Sequence, residues 1–139
     1  KMHARKRQGG VLLVASLVGF FPIPGMSVYA ASKAYVKSFG EALAEELRGT
    51  PLHVTVLCPG NVPTGFQKAA GFGDDLAMPG ALSAAATARA GLDGYARRRA
   101  RVVPGLLNRV TALFTGFLPS RWVARIAASS LRRMGRFDA

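Results

Sequence analysis

The chain has 139 residues, half of them apolar, and carries a net charge of +12. That length holds one domain at most, that apolar fraction rules out a disordered chain, and a single cysteine, Cys58, excludes an internal disulfide framework and suits a reducing, cytoplasmic setting. So basic a chain raises nucleic-acid or membrane binding, but the cations are dispersed and no basic stretch is interleaved with aromatics, so no nucleic-acid partner is expected.

Taken in order, residues 1–8 read as the end of a helix that stops near Gly9-Gly10, its cations suited to the negative end of a helix dipole. Residues 11–15 are a continuous apolar run, as expected of a parallel strand buried on both faces. With the basic stub before it and Ala30-Ala31-Ser32 after it, the run imitates a secretory leader. It is too short to span a bilayer, and Pro22 and Pro24 break any helix through it. Residues 19–25 are loop. Residues 26–48 are predicted helical, because Tyr29, Val36, Phe39, Leu43 and Leu47 recur at helical spacing. Gly40 costs about 1 kcal/mol against Ala within a helix, which close packing against a sheet or partner helix would explain.

Gly49-Thr50-Pro51 stops that helix, and residues 52–57 form a second strand closed by Cys58-Pro59-Gly60. Residues 63–82, rich in Gly, Ala and Pro, read as a mobile flap. Ser83 caps a helix to about Arg99, residues 101–103 make a short third strand, and residues 106–117 an apolar helix. Pro119-Ser120 opens a last amphipathic helix with Trp122, Val123, Ile126, Leu131 and Met134 on one side and arginines on the other. Strand alternating with helix predicts an α/β fold, half of a doubly wound parallel sheet. His3 and His53 are isolated, so no metal site is expected.

The chemistry gathers where the first strand ends. Ser16 closes the strand; Tyr29 and Lys33, four residues apart, share one helix face. A hydroxyl, a phenol and an ammonium that converge make a proton-transfer site. Free phenols titrate near pKa 10, and a neighbouring positive charge favours phenolate.

Ser16-Leu-Val-Gly19, Tyr29-Ala-Ala-Ser-Lys33 and Cys58-Pro59-Gly60-Asn61-Val62-Pro63-Thr64, in this order and spacing, resemble the short-chain dehydrogenase/reductase family, and its 3-oxoacyl and steroid reductase branch most. The resemblance implies a Rossmann-type fold and NAD or NADP as cofactor. It implies Tyr29 as proton donor or acceptor, Ser16 as donor to the substrate oxygen, and Lys33 as partner of Tyr29 and of the nicotinamide ribose. Pro59, Gly60, Val62 and Thr64 would meet the nicotinamide end. No glycine fingerprint precedes the first strand, so residues 1–139 are expected to be the C-terminal, catalytic half of such a domain, without its nucleotide-binding half and inactive alone.

Phe66, Phe72, Phe114 and Phe117 are expected to line an apolar cleft for a bulky carbonyl or alcohol substrate. The intact protein is expected to be a homo-oligomer. The competing readings are a truncated, non-catalytic interaction module and a membrane-surface protein using the basic last helix.

Overall fold

The computed structural model describes residues 8–65 and 80–133. Three parallel strands, β1 (Gly9–Val14), β2 (Leu52–Leu57) and β3 (Arg101–Val102), lie side by side in chain order. Gly9 pairs with Leu52 and Val14 with Leu57, while Val56 and Leu57 pair with Arg101 and Val102. α1 (Ser27–Glu46) joins β1 to β2, and α2 (Ala84–Ala96) precedes β3; α3 (Leu106–Phe117) and α4 (Ser120–Arg133) follow it. This is the expected α/β architecture.

Small residues decide which face each helix covers. A Cβ on Gly40 of α1 would run into Val56 and Leu13, whereas one on Gly91 or Gly94 of α2 would run into Leu57 or Val102. Val56 and Leu57 are consecutive in a strand, so they point to opposite faces. α1 and α2 therefore cover opposite faces. Both crossovers step the same way across the sheet, from β1 to β2 and from β2 to β3, so they have opposite hands. One of them departs from the right-handed rule that strand–helix alternation leads one to expect.

The core lies under α1. Ala15, Val56 and Cys58 are buried there, packed by Phe20, Val36 and Val103. Burial pushes the Cys58 thiol up to about 11, with the Glu41 carboxylate adding to it and Lys37 and Arg101 opposing. The isolated thiol thus serves packing.

Three expectations are corrected. Gly9-Gly10 open β1 rather than end a helix, and the helix expected over 1–8 falls, from 1 to 7, outside the described residues. β1 is not buried on both faces, since Val11 and Val14 are exposed, although its outer place in the described sheet is the open apolar edge expected of a strand without its upstream neighbour. The loop after Ser16 is partly ordered as a 3₁₀ turn, Leu17–Phe20. Around that turn, Phe20 lies under two cations, Lys37 Nζ at 4.8 Å and Arg101 at 5.5 Å from the ring centre, and Glu41 bridges both at 3.1 and 3.0 Å. A segment joining β1 to α1 is thereby tied to the start of β3.

Candidate active site

β1 and β2 go on pairing beyond their last regular residues. Ala15 N–H donates to Leu57 O at 2.8 Å and Leu17 N–H to Pro59 O at 2.7 Å. Ser16 is held between these two bonds, nine-tenths buried, directly beside the Cys58-Pro59-Gly60 segment. Its Oγ accepts from Val18 N–H at 3.4 Å and so caps the 3₁₀ turn. The turn packs closely on α1, because Gly19 meets the Lys33 backbone where any side chain would stand.

Lys33 Nζ reaches back to the strand and donates to Val14 O at 3.2 Å. The same ammonium lies 5.6 Å from the centre of the half-buried Tyr29 ring. A charged donor thus spans from the phenol to the strand end two residues before Ser16. Ser16, Tyr29 and Lys33 therefore gather at the C-terminal end of β1, where ligands sit in open α/β sheets. What such a set can do is hold an oxygen, pass it a proton and stabilise charge beside it.

The second strand's exit adds a wall. Gly60 is pressed against Asn108 of α3, whose Oδ1 would lie 2.5 Å from a Cβ at that position. Asn108 is buried, and its Nδ2 donates to Pro104 O at 2.8 Å and Gly80 O at 3.1 Å. Leu82 N–H donates to Asn61 O at 3.1 Å. The two described ends of the 63–82 segment are thus fastened to each other and to α3. Sequence reading gave Asn108 no role. Its one signal was an amide in the first turn of a largely apolar helix.

Val62 is half-buried and Thr64 exposed on the same segment. Phe66 and Phe72 lie outside the described residues. Phe114 and Phe117, expected on a cleft, stand 61 % and 81 % exposed on the outer side of α3. An open apolar groove of about 490 Å³ does exist, between residues 19–24, Ala30, Ala31 and Ala34 of α1, and Ala124 of α4. It runs along the α1 face that carries Ser27, Ala30, Ala31 and Ala34, a different face from that of Tyr29 and Lys33, and none of Ser16, Tyr29 or Lys33 lines it. Among the described residues no cluster of His, Cys, Asp or Glu could hold a metal ion.

Comparison with known proteins follows the same outline. A sequence model of the family described as short chain dehydrogenase matches residues 1–73. A sulfoacetaldehyde reductase of Chromohalobacter salexigens is 43% identical over 67 residues, 48% of this chain and 26% of that protein. A short-chain dehydrogenase from Sphingobium yanoikuyae, solved in complex with NADPH, superposes with a TM-score of 0.67 at 24% identity. It covers 98% of this chain and 48% of that one. A short-chain dehydrogenase/reductase from Burkholderia phymatum, in complex with NAD, gives a TM-score of 0.67 at 24% identity, over 79% of this chain and 47% of that one. The chain thus spans about half the length of these solved structures, and sequence likeness is concentrated in residues 1–73 while likeness of fold runs further.

Proposed function

Because this chain belongs to the short-chain dehydrogenase family, we propose that it is the catalytic half of an oxidoreductase that interconverts a carbonyl and an alcohol with NAD or NADP. The observation that carries this reading is the Lys33 ammonium, bonded to Val14 O and set beside the Tyr29 ring at the strand end that bears Ser16.

The residues fit the nicotinamide end of such a cofactor. Lys33 is a half-buried cation, and the 59–64 segment leaves β2 at the edge where Ser16 sits. When bound, the nicotinamide gives or takes a hydride. Ser16 donates a hydrogen bond to the substrate oxygen and fixes it beside the phenol. Tyr29 gives that oxygen a proton in reduction and takes one in oxidation. Lys33 supplies positive charge next to the phenol and donors to the ribose hydroxyls. Val62 backbone groups would hold the carboxamide and the Thr64 hydroxyl the carboxamide or a phosphate, with Pro59 and Gly60 setting the course of that segment.

We further propose that a nucleotide-binding half completes the enzyme along the open side of β1. Support comes from the exposed Val11 and Val14 on that strand and from Val28, Tyr35 and Phe39, which share one exposed flank of α1. The expectation of a bulky apolar substrate rests on the apolar residues of the 63–82 segment in sequence; the apolar groove lies on the Ser27, Ala30, Ala31 and Ala34 face of α1, which Tyr29 does not share. The outward-facing Phe114 and Phe117 lend it no support.

The test is oxidation of NADH or NADPH by the assembled enzyme when ketones and aldehydes of rising size are added. Turnover that rises with apolar bulk is expected. No turnover with any carbonyl, or in reverse with any alcohol, contradicts the reading.

A further inference from the structure

α3 is built inside out. Its uncharged polar residues face the protein: Asn108 is buried, and Thr111 and Thr115 are half-buried, with their hydroxyls on carbonyls of the preceding turn, while Arg109 is exposed and donates from Nε to Val103 O at 3.0 Å. Its large apolar residues face away. Leu106, Val110, Leu113 and Phe117, at spacings of four, three and four, form one exposed stripe, with Leu106 77 % and Phe117 81 % accessible. α4 begins after Leu118-Pro119 and buries Val123, while Trp122 and Ile126, one turn apart, remain exposed. Beside them on α4 run Arg121, Arg125 and Arg132, all exposed. Residues 94–137 contain ten arginines and no carboxylate.

We propose that α3 and α4 dock the protein on an anionic lipid bilayer. Exposed apolar side chains fringed by arginine and tryptophan match the boundary between acyl chains and acidic headgroups. No described helix is long and apolar enough to cross a membrane, so the contact lies in the interface plane. Charge complementarity selects this occupant: a second copy would set arginines against arginines with no carboxylate to meet them. The docking needs no cofactor and is independent of the proposed catalysis. It adds a location to it, since α3 also packs against the Leu17–Phe20 turn next to Ser16, and apolar carbonyl compounds concentrate in bilayers.

Flotation of the whole chain with vesicles tests this, using phosphatidylcholine alone and phosphatidylcholine with about 30 % phosphatidylglycerol. The wild type floats with the anionic vesicles and about tenfold less with the neutral ones. Arg121→Gln with Arg125→Gln reduces anionic binding by about tenfold, and Leu113→Asp with Phe117→Asp abolishes it. Phe117→Asp alone serves if the double variant loses its circular-dichroism spectrum. Tyr35→Asp with Phe39→Asp, on the exposed stripe of α1, leaves flotation unchanged. The proposal is overturned if the wild type does not float, if the α1 variant loses flotation as fully as the α3 variant, or if the α3 variant splits a dimer in sedimentation while still floating.

Discussion

Asn108 shows how much of the site hangs on a single amide. Its Nδ2 satisfies two main-chain carbonyls, one four residues away and one 28 residues away, and its Oδ1 side fills the space left by Gly60. Asn108→Ala strands both carbonyls and is expected to lower stability by about 2–3 kcal/mol. Asn108→Asp keeps the shape and loses the donor, so it recovers little. Chemical denaturation of both variants in the assembled enzyme checks this. Cys58 gives a prediction in pH. Its folded value, about 11, stands above the reference 9.0, so the folded chain keeps a proton that the unfolded chain releases first. The contribution is complete below about pH 9 and lost as pH climbs to about 11, worth about 2–3 kcal/mol. Subtracting the pH–stability curve of Cys58→Ala from that of the wild type, both measured on the assembled enzyme, isolates it; a flat difference above about pH 9 contradicts it. At this scale Ser16, Tyr29 and Lys33 were legible because strand ends and helix periods put them together through local geometry. Asn108 was not, because one of its partners is a carbonyl beyond the whole α2–β3 stretch.

The elements follow their punctuation. β2 and α3 occupy the expected 52–57 and 106–117, bounded by Thr50-Pro51 and Pro59-Gly60 and by Gly105 and Pro119. Ser83 caps α2 through Ala86 N–H at 3.2 Å, as expected. Periodicity could not show which way α3 turns its apolar stripe. A helical period tells which residues share a face, and only the rest of the fold tells whether that face looks inward. The hand of the crossovers was equally hidden, since sequence carries no signal for the face on which a connecting helix lies. The propensity cost of Gly40 points to close packing, and the structure supplies its partners in Val56 and Leu13. Gly40→Val is therefore expected to destabilise the fold by about 1–3 kcal/mol or more through overpacking, whereas Gly116→Val, with nothing within 4 Å of its Cβ position, is expected to shift stability by less than about 1 kcal/mol. Equal thermal melts for the two variants of the assembled enzyme would contradict the close α1–sheet contact.

For the molecule as a whole, the open side of β1 dominates the expected behaviour. Val11 and Val14 on an outer strand, next to the exposed Val28, Tyr35 and Phe39 of α1, leave an apolar edge whose N–H and C=O groups can pair with another strand. Alone in solution the chain is expected to associate or to melt without a sharp transition, and to bind nicotinamide cofactor weakly, because among the described residues no glycine-rich turn opens a helix toward a pyrophosphate. Analytical ultracentrifugation with calorimetry checks this; a monomer with a sharp two-state melt and micromolar cofactor affinity would count against the half-enzyme reading. The most direct test of the catalytic claim is the rate of carbonyl reduction by the assembled enzyme with Tyr29 and with Tyr29→Phe, followed by the absorbance of the reduced nicotinamide. The substitution removes only the phenol oxygen, so the rate is expected to fall by about 10²–10⁴-fold while cofactor affinity stays the same. A Tyr29→Phe enzyme that keeps more than about a hundredth of the wild-type rate would show that this phenol does not carry the proton.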